Sequence, residues 1–176
     1  MGLELGPCQI LYGNVGGSAN NLTDLGKTFG GVTLSIEENL QQLKSDQSGD
    51  TPEDEFISGR VIRMTASLAD ISLNTFATVF KSSVAGNGNN ACVSVNTGAG
   101  TSLLTNAKKF LLKPYENGSP SSNALRWITI YKGGISSAME LTFDSTTQRA
   151  VKFTVTAYPY ANANNNCIAF GNTSVD

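Results

Sequence analysis

The stretch Arg60–Leu68, RVIRMTASL, alternates apolar and polar side chains and predicts the strand on which the fold is built. A period of two places every second residue of a strand on the same face. The residues between them then point to the opposite face. The face towards the core would consist of Ile62, Met64, Ala66 and Leu68. The other face would consist of Val61, Arg63, Thr65 and Ser67.

A helical pattern follows this strand directly. Apolar side chains recur at Leu73, Phe76, Ala77 and Phe80, which is the spacing of one helix face. The pattern predicts a helix over Ile71–Lys81 with Asp70 as its N-cap, since a side-chain oxygen there can accept a hydrogen bond from the first turn. Packing that face onto a sheet is the structural role that this pattern favours.

Strand patterns dominate the rest of the chain. Six further strands are predicted: Val32–Ile36, Ala91–Val95, Lys108–Lys113, Leu125–Lys132, Ser137–Phe143 and Val151–Ala157. Gly133 and Gly134 separate two of them and predict a tight hairpin turn, because glycine accepts the positive φ of such turns. Gly, Ser, Thr and Asn supply 70 of the 176 residues, a composition that favours turns and strands over helices. The length predicts a single domain, residues 1–176, so a mainly β domain is expected.

Composition argues against an enzyme. The chain has no histidine, which removes the commonest general base near neutral pH and the Ser-His and Cys-His nucleophiles. Asp46, Ser48 and Asp50 are spaced like calcium ligands, but Thr51 stands where such a loop needs glycine. No catalytic, cofactor-binding or metal-binding residue is predicted, and no cofactor.

The three cysteines, Cys8, Cys92 and Cys167, are too few and too far apart for a disulfide framework or a metal knuckle. Buried free thiols are expected, and a bond between Cys8 and Cys167 is the alternative. The N-terminal residues lack the basic and apolar regions of a signal peptide, and no apolar run approaches the ~18 residues of a membrane span. Synthesis in the cytoplasm and no membrane partner are expected.

Charge is divided unevenly along the chain. Residues 37–55 contain seven of the 14 acidic residues and one basic residue, Lys44, so this segment is −6 in a chain of −2 and the remainder is +4. Residues 39–56 show neither a strand period nor a helix face and predict a long extended loop, an unusual feature in a compact domain. Folded back on itself, this loop could reach about 30 Å at ~3.3 Å per residue. It would therefore pass beyond a body whose radius of gyration is about 16 Å.

Particular residues resemble the major tail tube proteins of tailed bacteriophages. The likeness follows a fixed order of segments rather than one motif, covers most of the chain and excludes residues 84–105. Its segments are GPCQILYG (6–13), the block LGKTFGGVTLSIEE (25–38), SDQ (45–47) with Gly49, TPED (51–54), SGR (58–60), the helix 73–80, FLLKP (110–114), MELTFD (139–144) and VKFTVTA (151–157).

This resemblance implies two packed antiparallel sheets, as a β-sandwich or barrel, with one flanking helix. It also implies a virion protein whose hexameric rings stack into the tail tube, the conduit for DNA ejection. Residues 39–56 would be the loop that contacts the next ring, through Lys44, Asp46, Asp50, Glu53, Asp54 and Glu55. Partners would be further copies and the tail terminator, tape-measure and distal tail proteins, while DNA would pass without specific binding. For residues 1–10 and 159–176 the sequence leaves two alternatives open: they join the packed domain, the second with a short edge strand, or they serve as terminal arms onto neighbours.

Two other functions fit a β-sandwich. One is another tail component, a tail terminator or a distal tail protein, which copy number in the particle would separate from a tube protein. The other is a carbohydrate-binding or adhesin module, which needs an exposed aromatic platform. Tyr115, Trp127, Tyr158 and Tyr160 are the candidates for that platform. Trp127 is expected instead to pack within its hairpin or at a subunit contact.

Overall fold

The computed structural model describes residues 7–47, 49–69, 72–95, 97–138 and 150–173. Over these ranges the chain forms one α-helix, α1 (Leu73–Val79), and eleven strands. The strands are β1 (Cys8–Gly13), β2 (Thr23–Asp24), β3 (Thr28–Leu43), β4 (Asp54–Leu68), β5 (Val84–Ala85), β6 (Cys92–Val93), β7 (Lys108–Glu116), β8 (Ser119–Pro120), β9 (Ile128–Ala138), β10 (Val151–Ala157) and β11 (Ile168–Phe170).

The strands form two antiparallel sheets of very unequal size. Nine strands of the described chain make the large sheet, whose main path runs β2-β1-β7-β9-β10-β4-β3, with β8 beside β7 and β11 beside β9. The pair β5-β6 makes the small sheet next to α1. The large sheet curls until β1 approaches β3, but these two strands are not paired and the barrel does not close. The prediction of a mainly β fold with two antiparallel sheets and one helix is confirmed.

The core lies inside the curl of the large sheet. Met64, Ala66 and Leu68 of β4 are at most 1% exposed and pack with Phe110, Phe153 and their neighbours. The predicted alternation of β4 is therefore correct, because Arg63, Thr65 and Ser67 are not buried while every second residue is. Such a core is stabilised mainly because folding removes apolar surface on one side of the sheet from contact with water.

The helix α1 is shorter than predicted and has a different cap. Ser72 is the N-cap, and its side chain accepts a hydrogen bond from the backbone N–H of Thr75. The predicted cap Asp70 and the predicted first residue Ile71 lie outside the described residues. Val79 faces the core and is fully buried. Among the described residues no helix combines the length and apolar character needed to cross a bilayer.

The predicted hairpin at Gly133-Gly134 is wrong. Both glycines lie inside β9, neither has a positive φ, and both pair with β10. A close approach explains them: a Cβ on Gly133 would lie 2.9 Å from the Phe110 ring, and a Cβ on Gly134 would lie 2.7 Å from the Tyr158 ring. Strand glycines often mark such close packing. Of the predicted second strand, residues 139–143 lie outside the described residues.

Segments at both ends of the chain belong to the large sheet rather than to arms. Of the two alternatives left open for these segments, pairing within the domain is the one observed: within residues 1–10, Cys8–Ile10 pair with β7, and within residues 159–176, Ile168–Phe170 pair with β9. Their apolar side chains explain this, since Ile10 is fully buried and Ile168 packs against the core. Residues 1–6 and 174–176 lie outside the described residues.

The three cysteines are free and differ in exposure. Burial raises the pKa of the Cys8 thiol from its ordinary value of 9.0 to about 11, and it also raises the pKa of Cys167. Cys92 is exposed. The thiolate is the reactive form, so a rise of two pKa units leaves Cys8 about a hundredfold less thiolate near neutral pH.

A thiol titration of the native protein at pH 8 should therefore show one fast-reacting group per chain, Cys92. The variant Cys92→Ser should lose the fast phase, whereas Cys8→Ser should keep it. Denaturation should make all three thiols of the wild type react quickly. A fast phase that survives in Cys92→Ser would contradict the burial of Cys8 and Cys167.

Candidate assembly surface

The strands β3 and β4 continue far beyond the core as a two-stranded hairpin arm, residues 36–61. Apart from the partly exposed Ser45, Gly59 and Val61, every described residue of the arm is exposed. The eight residues Ile36–Leu43 span about 25 Å at ~3.3 Å per residue. The arm therefore offers both of its faces to solvent or to a neighbour.

The prediction that residues 39–56 form an unpaired loop is wrong. These residues are the outer half of this arm. Leu40 pairs with Ile57 and Leu43 with Asp54, so only residues 44–53 form the turn, which we call the tip. Sequence patterning missed the strands because a hairpin exposed on both faces needs no alternation of apolar and polar residues. Apart from Ser45, every described residue of this segment is exposed.

A bulge interrupts the arm where it leaves the core. Asn39 pairs with Gly59 and Leu40 with Ile57, so Ser58 has no opposite residue, and its hydroxyl donates to the Asn39 carbonyl over 2.9 Å. A bulge of this kind increases the local twist and redirects the strands beyond it. The bulge therefore sets the direction in which the arm points.

Polar contacts hold the two strands of the arm together. Arg60 Nε lies 2.7 Å from Glu38 Oε1, and Arg63 lies 3.3 Å from Glu37. Gln42 Nε2 donates to Glu55 Oε1 over 2.8 Å. Such exposed ion pairs contribute only about 0 to 1 kcal/mol each. They stabilise the shape of the arm without burying it.

The predicted contact residues come together at the tip. Lys44, Asp46, Asp50 and Glu53 lie in the turn, and Asp54 and Glu55 begin β4. Lys44 lies 3.4 Å from Asp50, and the Ser45 hydroxyl donates to Glu53. Three carboxylates in the tip and two at the adjoining start of β4, beside one ammonium group, make this end of the arm strongly acidic.

Apolar side chains on the arm escaped the sequence analysis. Leu40, Leu43, Phe56 and Ile57 are each more than half exposed, and Ile36 is 45% exposed. Opposite residues share a face and successive residues alternate, so Leu40 and Ile57 lie on one face and Leu43 and Phe56 on the other. Large apolar groups on both faces of a thin arm are the surface that a partner would cover.

The outer edge of β3 is a second unpartnered feature. On one side 13 of its 16 residues pair with β4, and on the other side it pairs with no strand of the described chain. A long free edge exposes a row of backbone N–H and C=O groups that can pair with another chain. Natural proteins protect such edges, and assembly with a second subunit is one means of doing so.

Two of the four aromatic candidates for a carbohydrate platform, Trp127 and Tyr160, make contacts within the protein, whereas Tyr115 is exposed. Lys113 Nζ lies 4.1 Å from the centre of the Trp127 ring, and the indole N–H donates to the Ser121 carbonyl. Tyr160 stacks on Tyr131 with ring centres 6.3 Å apart. In the described part of the chain no three His, Cys, Asp or Glu side chains are grouped so that they could hold a metal ion.

Comparisons with known proteins identify structural neighbours but no family. No family model matches the chain, and no curated protein matches it significantly. Among solved structures, a chain of the baseplate of the anti-feeding prophage, determined by cryo-EM with six-fold symmetry, matches 89% of this chain and 90% of its own length. The two chains are 9% identical and superpose with a TM-score of 0.45.

Proposed function

We propose that this protein is a structural component of a phage tail, which forms hexameric rings that stack into the tail tube. It carries out no catalysis, is located in the virion after synthesis in the host cytoplasm, and provides the channel for DNA ejection. Its partners are further copies of itself, together with the tail terminator, tape-measure and distal tail proteins. DNA slides through the channel without specific binding.

The observation that supports this proposal most strongly is the hairpin arm. In a monomer, an exposed arm with apolar groups on both faces leaves those groups in contact with water, which is unfavourable. In a stack, a neighbouring ring covers them. The order of segments shared with major tail tube proteins points the same way. The free edge of β3 offers a route to pair sheets around a ring, because closed rotational symmetry leaves no edge unpaired.

Charge is consistent with a DNA conduit. The chain is −2 overall, and an excess of lysine and arginine on a channel wall would bind phosphates and hold the DNA. Sliding requires a wall that does not retain the nucleic acid. A chain of net charge −2 has no overall excess of basic residues that would oppose sliding.

Sedimentation of the purified full chain at increasing concentration tests the proposal. We expect monomers to give way to a ring of defined size and then to polymers, because tubes grow by adding rings to rings. Addition of double-stranded DNA to the assembled protein should not retain the DNA at physiological salt. A chain that stays monomeric at every concentration would contradict the proposal.

A further inference from the structure

A cavity of about 540 Å³ lies beside α1, at the opposite end of β4 from the tip. Its lining includes Lys81, Lys108, Tyr12, Thr78 and Asn106. The described residues that line it include two ammonium groups, several hydroxyl and amide groups, and no carboxylate. We call it the lysine pocket. Its chemistry suits an anionic group.

Both lysines are held in place by the fold. Lys81 follows the C-cap of α1 with φ of +55°, the left-handed conformation in which helices commonly end. Lys108 begins β7, and its Nζ donates to Asn14 Oδ1 over 3.1 Å. The Thr78 hydroxyl donates a hydrogen bond to the Tyr12 hydroxyl over 2.9 Å.

Neither ammonium group has a carboxylate partner within the described chain. Burial lowers the pKa of Lys81, so its charge is partly desolvated without compensation. A carboxylate from outside would favour the charged form and recover that loss. Paired charges at an interface also select the partner and its orientation.

The tip and the lysine pocket lie at opposite ends of one strand. The first residue of β4, Asp54, adjoins the tip, and its last residue, Leu68, leads into α1. The strand has 15 residues and so spans about 50 Å at ~3.3 Å per residue. Two different surfaces at opposite ends of a rigid element form a head-to-tail contact, and contacts of that kind produce open stacks.

We propose that the lysine pocket receives the acidic tip of a second copy of this chain in the next ring. This inference rests on the proposed function and assigns the partner surface of the arm. The five carboxylates of the tip and adjoining strand then meet Lys81 and Lys108. Each subunit inserts its tip into a pocket of one neighbouring ring and receives in its own pocket a tip from the other neighbouring ring. The same contact therefore repeats along the tube.

Charge exchange tests the pairing. The tip variant is Asp46→Lys/Asp54→Lys, and the pocket variant is Lys81→Glu/Lys108→Glu. Each alone should raise the protein concentration needed for half-maximal stacking at least about tenfold, because like charges then meet. An equimolar mixture of the two variants should assemble again, since every contact between unlike copies restores opposite charges. Added salt should weaken wild-type stacking.

The control is Lys27→Glu/Lys152→Glu, which changes the net charge as the pocket variant does but at exposed positions away from the lysine pocket. It should assemble like the wild type. If the pocket variant fails to fold, as shown by thermal unfolding, the neutral pair Lys81→Gln/Lys108→Gln replaces it and should weaken stacking.

The outcomes separate this inference from the proposed function. Wild-type protein that never assembles overturns the proposed function. Wild-type protein that assembles, together with a pocket variant that stacks normally or a mixture that fails to recover, overturns the pocket assignment alone. A control that loses stacking as strongly as the pocket variant also overturns it, because bulk charge would then explain the effect.

Discussion

A variant with Leu40, Leu43, Phe56 and Ile57 all replaced by threonine should fold normally and form rings that fail to stack. These side chains are 51–55% exposed, so they contribute little to the core of the subunit. Threonine keeps a strong preference for strands, and the arm should retain its pairing. Covering the exposed half of each apolar side chain contributes about 1 kcal/mol, so the four together contribute about 4 kcal/mol per contact. Threonine keeps part of that, and stacking should weaken about a hundredfold or more.

The matched control keeps four changes at the same positions but retains apolar character: Leu40→Ile, Leu43→Ile, Phe56→Leu and Ile57→Leu. Sedimentation and thermal unfolding should be measured for both. The control should stack at close to the wild-type concentration, and both variants should unfold near the wild-type temperature. A threonine variant that stacks like the wild type would show that the arm does not bury its apolar faces in the assembly.

The second large effect is expected at Gly133. In the variant Gly133→Ala the new methyl group would meet the Phe110 ring 2.9 Å away and the Val155 side chain, inside a core that is already filled. Overpacking of this kind costs about 1 to 3 kcal/mol of the free energy of unfolding. A domain of this size should therefore lose roughly 3 to 10 °C of melting temperature.

Gly59 offers a matched control for this substitution. It is also a strand glycine without a positive φ, but the nearest atom to its Cβ position, Asn39 Nδ2, is 4.0 Å away. Gly59→Ala should be neutral or stabilise the fold by up to about 1 kcal/mol, because alanine restricts the unfolded chain. If Gly133→Ala were as stable as Gly59→Ala, the packing of β9 against Phe110 would be incorrect.

Some elements of this fold can be predicted from the sequence, and others cannot. Residues 60–68 are predictable because one face of the strand is buried and the other is not. The sequence therefore alternates between apolar and polar residues. Gly133 and Gly134 mislead because a glycine pair serves a tight turn and a crowded strand equally well. Only the position of the Phe110 and Tyr158 rings distinguishes the two, and that position depends on residues distant in the sequence.

Some features of the arm surface can likewise be predicted from the sequence, and others cannot. The acidic tip is visible as a cluster of charges, and its contact role remains a prediction. The apolar groups Leu40, Leu43, Phe56 and Ile57 are scattered among polar residues, and their sorting onto two faces depends on a register that a single bulge at Ser58 shifts. Lys81 and Lys108 are 27 positions apart, and only the fold places both in the lining of one cavity.

Electron microscopy of the purified full chain at high concentration tests the central claim most directly. We expect hollow tubes built from stacked rings with six-fold symmetry. Their axial repeat should be shorter than the subunit is long, because each arm overlaps the next ring. Images that show only compact single subunits, in a preparation that is folded by thermal unfolding, would contradict the claim.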